Sequence, residues 1–521
     1  AAASPLPERE TMSTIASALN HAKEKGPRYA PEQQQEKAKE KEGTEGKNKA
    51  ALLVKLAKEK AEFFHDEQNN AYAKVNVNGH KEIKPLRSKE FKLWLFKILH
   101  EKDITPPGSE VYNSALTTLE SISLYDNPLS KVYLRVAPDE NGGFYIDLGN
   151  EEWQAVHITP QGWHVVDEPP VHFIRKKGML PLPTPVSGGS FEDFRLFSNI
   201  QDESSWALIK AWLTASLMPE GPYPVLVLKG EQGCAKTTLA RMLRSLVDPA
   251  TPDLRRPPRE AEDLHIAASS CWVIALDNIS YIADWLSDDL CTLSTGGGHA
   301  RRQLYTDDEE VLFSAQRPLL LNGITDFIHR DDLLDRAIIV ELHRIPEHLR
   351  RDEKTVWAEF EAHRPKLFGA LLDRLVGALR ERSTIKLSVL PRMADFAIIA
   401  AAAEKYEVSD NWSEETSLFL QSYREAREDA HESAIEASVV GVVLMQWLES
   451  TRLPYESSAV ELLEKLTNVA NERQVKSSGW PKNVSNFGST LRRIAPAIRS
   501  IGYNIEFIRV QGSRRIRITN I

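Results

Sequence analysis

The stretch GEQGCAKTT at residues 230–238 predicts a phosphate-binding loop. It directly follows the apolar run PVLVLKG and opens the helical pattern TTLARMLRSLV, which is the strand-loop-helix setting that such a loop requires. Glycines let the backbone wrap so that its N–H groups and the helix N-terminus face phosphate oxygens. Ala235 stands where the usual pattern has glycine, and its methyl group is a small intrusion. The alternative is a glycine turn with an exposed lysine.

Each polar residue of this loop has a predicted role in binding ATP and Mg²⁺. Lys236 is predicted to reach the β and γ phosphates, and the Thr237 hydroxyl is predicted to bind the metal. The whole loop is predicted to contact the nucleotide: Gly230, Glu231, Gln232, Gly233, Cys234, Ala235, Lys236, Thr237 and Thr238.

Three further apolar runs, CWVIALDN, RPLLLNGI and RAIIVEL, follow the loop and alternate with helical segments. Continuous apolar runs of strand length are typical of parallel strands that helices cover on both faces. The predicted fold class is therefore α/β, with a parallel sheet in an ATPase domain over residues 190–350. Residues 351–435 have a helical pattern and are predicted to form a lid or connector.

A carboxylate stands at the end of the second apolar run. Asp277 follows Thr237 by 40 residues, as expected for a group that holds Mg²⁺ through water. Many ATPases place Glu or Asp next, as the base that polarises the attacking water, but this chain has Asn278. Asn can orient a water but cannot accept its proton, so either the base lies elsewhere or hydrolysis relies on positioning and electrostatics.

Two polar residues near the remaining apolar runs are further catalytic candidates. Asn322 ends the run RPLLLN, where its amide can touch the γ phosphate or the attacking water. Arg336 follows 14 residues later and can reach the nucleotide of a neighbouring subunit. The alternatives are an Asn that caps a turn and an Arg that pairs with Asp332 or Asp335.

The segment STGGGHARRQLYTDDEEVLF, between Asp277 and Asn322, predicts a β-hairpin with an acidic tip. In a ring of subunits such a hairpin can point into the pore, which would make Arg301 and Arg302 contacts for DNA phosphates. The acidic tip would repel DNA. A solvated or ion-paired role for both arginines is the alternative.

The part of the chain before the loop has two different compositions. Residues 1–51 are rich in Lys, Glu, Gln and Ala and predict a charged, flexible tail. Residues 52–182 combine apolar helical stretches with short alternating segments such as KVYLRV and GFYIDL, which predicts a small α+β domain. PLPTPVSGG at residues 181–189 is predicted to be a linker. Residue 1 is Ala rather than Met, so the chain is expected to be processed or part of something longer.

Whole-chain composition excludes several classes of protein. Its 521 residues predict two to four domains, and 42% hydrophobic and 27% charged residues are ordinary for a globular protein. No apolar run of membrane-spanning length and no secretory signal occur, and the three cysteines have no metal-site spacing. We therefore expect a protein of the bacterial host cytosol that has no membrane partner.

The net charge of −9 hides a basic C-terminal segment, because residues 473–521 carry ten Lys or Arg and one acid. Residues 436–521 predict three helices and a two-stranded hairpin, as in a winged helix, and Pro496 is predicted to end or kink the third helix. Predicted phosphate contacts in this domain are Arg492, Arg493, Arg499, Arg509, Arg514, Arg515 and Arg517. Docking of another protein is the alternative role of such a domain.

Together, GEQGCAKTT, VIALDN, STGGGHARRQLY, PLLLNG and DRAIIVEL resemble the superfamily 3 helicases and primase-helicases of phages, plasmids and integrated elements, in that family's order. The resemblance covers about residues 190–345 well and the C-terminal winged helix less firmly. It implies an AAA+ ATPase that assembles as a ring, usually a hexamer, and unwinds DNA.

By this resemblance, Lys236, Thr237 and Asp277 bind nucleotide and Mg²⁺, Asn322 is the sensor and Arg336 acts in trans. Residues 52–182 contain no convincing set of primase carboxylates. Priming is therefore expected from an upstream part or from a separate primase or polymerase.

Three functions remain open from the sequence. The first is a replicative helicase of a phage or mobile element that moves on single-stranded or forked DNA. The second is an ATP-gated assembly protein for defence or regulation that does not unwind DNA, which Asn278 favours. The third is a DNA-binding initiator whose ATPase controls loading, which the basic C-terminal segment favours.

Overall fold

The computed structural model describes residues 49–302, 310–324, 327–328, 330–408, 411–510 and 512–521. Most of the predicted tail at residues 1–51 therefore lies outside the described part. The described chain forms two compact units. One contains residues up to Val77 together with Ile83–Ser130, and the other contains Asn78–Glu82 and Lys131–Ile521.

The first unit combines helices with a three-stranded sheet in the order β1-β2-β3. Its core includes Leu53, Phe63, Phe91 and Leu119, all of them buried. Its elements are α1 (residues 49–60), β1 (Ala61–His65), β2 (Ala71–Val77), β3 (His80–Pro85), α2 (Lys89–Glu101) and α3 (Ser109–Tyr125).

The second unit opens with a four-stranded antiparallel sheet in the order β5-β6-β7-β8 and a short parallel pair, β4 with β9. These strands are β4 (Val132–Tyr133), β5 (Val136–Pro138), β6 (Phe144–Asp147), β7 (Ala155–Thr159), β8 (Gly162–Val166) and β9 (His172–Phe173).

This sheet corrects the predicted α+β domain over residues 52–182, because the structure divides that range near residue 130. Phe144, Ile146 and Val156 point into the same apolar core as the helices that follow the predicted linker. The Trp163 indole, which packs against that core, also donates a 2.7 Å hydrogen bond to Asp373 Oδ1. The alternating sequence of these strands indicates that one face of the sheet is buried, but it does not indicate which element covers that face.

A buried ion pair also connects this sheet to the second half of the unit. Arg135 and Asp248 have side chains that are 0% and 4% exposed, and Arg135 Nη2 lies 3.0 Å from Asp248 Oδ1. Arg135 also donates to the carbonyl oxygens of Asp147 and Leu180. The second Asp248 oxygen accepts the backbone N–H groups of Trp272 and Val273 at 2.9 and 3.0 Å.

The parallel sheet predicted from the apolar runs is confirmed, in the order β11-β14-β10-β15. All three neighbouring pairs are parallel. Its strands are almost entirely buried and consist of β10 (Val225–Gly230), β11 (Ile274–Ile279), β14 (Leu319–Gly323) and β15 (Ala337–Leu342). Between β11 and β14, an antiparallel pair consists of β12 (Gly298–Arg302) and β13 (Glu310–Ser314), so the described backbone agrees with the predicted hairpin.

Helices surround this sheet, and between residues 351 and 435 the described chain is mostly helical, in the segments Glu353–Glu381, Ala394–Val408 and Leu418–Ala437. Residues 191–218 contain a 3₁₀ segment at Phe191–Phe197 followed by a separate helix. No helix in the described ranges is long and apolar enough to cross a bilayer. The helices are α4 (Glu203–Ser216), α5 (Lys236–Val247), α6 (Ala261–Ser270), α7 (Asp284–Thr295), α8 (Asp331–Leu334), α9 (Glu353–Glu381), α10 (Ala394–Val408) and α11 (Leu418–Ala437).

The C-terminal part has its own apolar core and a three-stranded sheet in the order β16-β18-β17. Its elements are α12 (Val439–Glu449), β16 (Tyr455–Ser457), α13 (Ala459–Val469), α14 (Glu472–Lys476), α15 (Val484–Ser500), β17 (Tyr503–Val510) and β18 (Ser513–Asn520). Of the two alternatives predicted for Pro496, an end or a kink of the third helix, the end is contradicted, because α15 runs through it to Ser500. Buried neighbours such as Ala497 and Ile498 hold the last turn against the core.

Candidate nucleotide and DNA sites

The loop of residues 230–238 connects the end of β10 to the start of α5, as its flanking patterns predicted. Gly230 has φ +152° and Gly233 has φ +86°. A Cβ on Gly230 would lie 2.3 Å from the Leu342 carbonyl oxygen, so this position has no room for a side chain. Residues Glu231, Gln232 and Gly233 are exposed, which leaves the mouth of the loop open to a ligand.

Ala235, the departure from the usual glycine, adopts φ +64° and ψ +25° immediately before α5. The difficulty with alanine here is conformational, because the left-handed region is unfavourable for a residue that has a Cβ. Alanine in place of glycine at residue 235 therefore lowers the stability of the fold. The sequence pattern had indicated only a small steric intrusion of its methyl group.

We expect Ala235→Gly to raise the free energy of unfolding by about 1 kcal/mol, because glycine adopts this φ without strain. Guanidinium unfolding without nucleotide measures the change. Ala240→Gly in the middle of α5 is the matched control and is expected to lower stability by at least about 1 kcal/mol. A loss of stability in both variants would contradict the assignment of strain to Ala235.

The Lys236 side chain is buried against the loop rather than extended into solvent. Its Nζ donates to the carbonyl oxygens of Gly230 and Glu231 at 2.7 and 2.8 Å. It also lies 3.5 Å from the Cys234 Sγ. The ammonium group is therefore held at the inner wall of the loop, where the sequence predicted a phosphate contact.

The structure brings together three of the predicted site residues, Thr237, Asp277 and Asn322, although they are far apart in the sequence. Asn322 Nδ2 donates to Asp277 Oδ1 at 2.6 Å and to Thr237 Oγ1 at 3.3 Å. Thr237 Oγ1 lies 3.3 Å from the same Asp277 oxygen. This contact is possible because β11, β14 and β10 are neighbouring parallel strands whose carboxyl ends meet at one edge of the sheet.

Asn278 departs from regular strand geometry. The pairing of β11 with β14 shifts between Leu276 and Ile279, and Asn278 has φ +61° and an exposed side chain. Asn tolerates this left-handed conformation better than most residues, so the backbone here favours the residue that the sequence carries. The bulge directs Asp277 and Asn278 away from the regular alternation of the strand.

The donor set at this edge fits Mg²⁺. This ion is usually held by one or two carboxylates together with substrate phosphates and water. Asp277 supplies a carboxylate and Thr237 a hydroxyl, within 3.3 Å of each other. No group of three or more His, Cys, Asp or Glu side chains with metal-binding geometry occurs among the described residues, so a site made only of protein side chains is not found there.

Arg336 lies in an ion-pair network within its own chain. Its Nη1 lies 2.6 Å from Asp332 Oδ1, and its side chain is 12% exposed. Arg392 contacts the same Asp332 oxygen at 2.7 Å and Asp335 at 2.8 Å. Burial raises the pKa of Asp332, but the hydrogen bonds and positive charges of Arg336 and Arg392 together outweigh it and lower that pKa below its usual value. Within its own chain, Arg336 therefore pairs with Asp332, as the alternative to a role in trans predicted.

One residue beside the loop was missed by the sequence analysis. Asn199 Nδ2 donates to the Cys234 carbonyl at 3.3 Å and to the His343 carbonyl, and so connects the loop to the segment after β15. These partners lie 35 and 144 residues from Asn199. No motif connects positions at these separations.

The predicted DNA contacts lie on two elements of the C-terminal part. Arg492 and Arg493 are exposed on α15, while Arg514 and Arg515 lie at the start of β18 in the hairpin. The Arg492 guanidinium lies 4.9 Å from the centre of the Phe507 ring, which connects the helix to the hairpin. The backbones of Arg301 and Arg302 lie in β12, but their side chains are outside the described part.

The other three predicted DNA contacts, Arg499, Arg509 and Arg517, also lie in the C-terminal part. Arg499 donates to Asn504 Oδ1 and to the Ile505 carbonyl. Arg517 pairs with Glu456 at 3.1 Å. Arg509 is exposed on β17. Two of these three arginines, Arg499 and Arg517, therefore make contacts within the C-terminal part that stabilise its fold.

Arg493 also faces the part of the unit that contains the parallel sheet. It lines a cavity of about 480 Å³ between the parallel sheet, α11 and α15. Burial raises the pKa of Asp331 in this cavity to about 6, Asp335 adds to the increase, and Arg493 opposes it. The carboxylates that line the cavity are Asp202, Asp331, Glu341, Glu425 and Asp429. Arg493 thus meets an acidic surface of its own chain.

Residues 193–429 match the family model AICE_RepA, the actinomycete integrative conjugative element replication protein. Residues 440–521 match the AICE RepA C-terminal domain. Over both segments the chain is similar to RepA replication proteins. The first RepA match contains the Thr237–Asp277–Asn322 cluster, and the second contains the basic hairpin. These matches support a role in the replication of a mobile element.

Other comparisons add little to the RepA matches. A comparison with curated proteins found no match. The apo A form of the NrS-1 C-terminal region is 14% identical with a TM-score of 0.40, over 90% of this chain and 98% of that one. The X-ray structure of JCV helicase is 12% identical with a TM-score of 0.20, over 42% of this chain and 65% of that one. These TM-scores are too low for either likeness to bear on function.

Proposed function

We propose that this chain is an ATP-dependent DNA helicase or translocase of the P-loop AAA+ class. It would assemble into a ring, usually a hexamer, and act in the replication of a mobile element. The RepA matches support the replicative role. The contact of Thr237, Asp277 and Asn322 beside Lys236 is the observation that carries the ATPase assignment. The C-terminal part would act as a winged-helix DNA-binding domain.

In this proposal the loop of residues 230–238 holds the phosphates of ATP. Its backbone N–H groups and the N-terminus of α5 would face phosphate oxygens, and Lys236 would exchange its bonds to loop carbonyls for bonds to phosphate. Thr237 and Asp277 would hold Mg²⁺, which supplies charge stabilisation of the phosphate oxygens when it is bound. Asn322 is placed to orient a water or to contact the terminal phosphate.

The proton acceptor is not Asn278. Its amide can donate to or accept from a water, but it has no basic group. The exposed position of Asn278 next to Asp277 suits orientation of the attacking water. Hydrolysis would then depend on positioning and on the electrostatic field of Lys236, the metal and an arginine from the neighbouring subunit.

In a ring, Arg336 would act on the nucleotide that the neighbouring subunit binds. To reach a nucleotide on a neighbouring subunit, its guanidinium must leave Asp332, where it now lies at 2.6 Å. Arg392 remains beside Asp332 and Asp335 to neutralise the carboxylates that Arg336 leaves. This exchange of partners would couple assembly to activity.

The central test is ATP hydrolysis with and without single-stranded DNA, for wild type, Lys236→Ala and Arg336→Ala, and for a mixture of the two variants. We expect DNA to stimulate the wild type several-fold and both variants to lose at least about 100-fold in rate, because each removes a charge that stabilises the transferred phosphoryl group. Mixing should restore part of the activity, since some sites then have an intact loop and an intact neighbouring Arg336.

The control for this test is Arg330→Ala, which removes a partly exposed arginine that pairs with Asp288 at 2.8 Å. This variant should hydrolyse ATP like the wild type. Hydrolysis that does not respond to DNA would refute the motor. Activity that mixing does not restore would refute the role of Arg336 in trans.

A second function is favoured by Asn278, namely an ATP-gated assembly protein that binds DNA, or acts in defence or regulation, without unwinding. An ATPase that lacks the usual carboxylate at this position is suited to hold ATP for long periods. Strand displacement on a forked duplex separates the two functions. Displacement that requires ATP supports the helicase, and ATP-dependent DNA binding without displacement supports the gated assembly protein.

A further inference from the structure

Arg350 lies over the candidate nucleotide loop, although no sequence motif singled it out. Its Nη2 lies 3.6 Å from the position that a Cβ on Gly233 would occupy. Gly233 is exposed, and its φ of +86° is a left-handed conformation that favours glycine. The guanidinium group therefore lies against the open side of the loop.

The backbone that carries Arg350 is attached to the same loop at two points. Leu342, the last residue of β15, places its carbonyl oxygen against Gly230. Three residues later, the Ile345 N–H donates to the Gly233 carbonyl at 3.5 Å. The segment from β15 to Arg350 thus follows the loop within one chain, so Arg350 reaches the nucleotide loop of its own subunit.

Arg350 and Arg351 differ in their partners. Arg351 Nη2 lies 2.5 Å from Glu359 Oε2, which neutralises its charge. Arg350 is exposed and has no carboxylate partner within the described part of the chain. An arginine that presents five N–H donors beside a phosphate-binding loop is suited to bind phosphate oxygens in a bidentate manner.

Lys236 and Arg350 occupy different sides of the loop. Lys236 is buried and donates to carbonyl oxygens of Gly230 and Glu231, so its charge lies at the inner wall. Arg350 lies on the exposed side at Gly233. Two cations on either side of the loop would enclose a polyphosphate, which carries several negative charges in a row.

We infer that Arg350 is a nucleotide-binding residue that contacts the phosphate tail of the nucleotide held by its own subunit. This inference rests on the proposed function, because it requires the loop to bind ATP. It differs from the proposed role of Arg336, which acts on a neighbouring subunit. Arg350 would strengthen binding in every assembly state, whereas Arg336 would act only in a ring.

Equilibrium binding of a fluorescent, non-hydrolysable ATP analogue to the full chain tests this inference. Arg350→Ala should bind the analogue about tenfold more weakly, because it loses charge-assisted hydrogen bonds to phosphate. Arg350→Lys should recover part of this loss, since lysine keeps the charge but not the bidentate geometry. Arg351→Ala is the matched control and should bind like the wild type, and all variants should have the wild-type melting temperature.

The outcomes separate the inference from the proposed function. Wild-type affinity in Arg350→Ala, together with loss of binding in Lys236→Ala, would overturn the role of Arg350 and leave the ATP site in place. Failure of the wild type to bind the analogue would overturn both.

A mixing experiment tests whether Arg350 acts within its own subunit. Lys236→Ala and Arg350→Ala would each damage their own site, so mixed rings should hydrolyse ATP no faster than the better of the two variants alone. Mixtures of Lys236→Ala with Arg336→Ala are the positive control for subunit exchange. Restoration of activity by Arg350→Ala with Lys236→Ala would show action in trans and overturn the inference.

Discussion

Replacing Asp277 with Asn is expected to lower the rate of ATP hydrolysis by at least about 100-fold. Asp277 is the carboxylate of the cluster that also contains the Thr237 hydroxyl and the Asn322 amide. Asn has almost the same shape, and its carbonyl oxygen can still accept the hydrogen bond from Asn322. The substitution therefore removes the negative charge that would hold Mg²⁺ and leaves the neighbouring contacts in place.

Steady-state hydrolysis at saturating ATP, over a range of Mg²⁺ concentrations, measures this effect. Additional Mg²⁺ should not restore the rate of Asp277→Asn, and its melting temperature without nucleotide should stay close to that of the wild type. Asp284→Asn, which neutralises an exposed carboxylate in the first turn of α7, is the control and should retain full activity. An Asp277→Asn variant with more than about one tenth of wild-type activity would rule out this carboxylate as the metal ligand.

Replacing Arg135 with Met is expected to destabilise the second unit by about 3–5 kcal/mol, which is typical when one partner of a buried ion pair is removed. The Asp248 carboxylate, which is 4% exposed in the native chain, would lose its ion-pair partner. Its two hydrogen bonds from Trp272 and Val273 would remain but would not neutralise it. The carbonyl oxygens of Asp147 and Leu180 would also lose a donor.

Guanidinium unfolding followed by tryptophan fluorescence measures the loss for Arg135→Met. Arg517→Met is the matched control, because its ion pair with Glu456 is 43% and 31% exposed and should contribute no more than about 1 kcal/mol. The double variant Arg135→Met/Asp248→Asn should recover part of the loss, since no uncompensated charge remains. Equal effects of Arg135→Met and Arg517→Met would show that the buried pair contributes little.

Local sequence patterns predicted the parallel strands well. The runs PVLVLKG, CWVIALDN, RPLLLNGI and RAIIVEL correspond to β10, β11, β14 and β15 to within a few residues. Such strands are buried on both faces, so their apolar character is continuous and visible without any alignment. Asp277 and Asn322 were found because each follows such a run, and the structure places them 2.6 Å apart.

Contacts between distant segments were harder to predict. The strands β5 to β8 have an apolar face, but only the structure shows that it packs into the core beside α9 rather than into a separate domain. The Arg336 partner was open for a similar reason, because a pattern in the chain does not show whether a guanidinium pairs within or between subunits. Asn199 contacts the loop across 35 residues and Arg350 lies beside it across 117 residues, and no local signal indicates such proximity.

The buried pair Arg135–Asp248 has a mechanical consequence for α5. This helix is about 18 Å long, with Thr237 near its start and Asp248 as its C-terminal cap. Thr237 contacts Asp277 at the end of β11, and Asp248 binds the N–H groups of Trp272 and Val273 just before the same strand begins. Side-chain contacts thus join α5 to β11 at both ends of the helix. We expect these two connections to prevent the helix and the strand from sliding past each other. We expect these contacts to make α5 and β11 move together, and Arg135 extends the same set of contacts to the antiparallel sheet through Asp147.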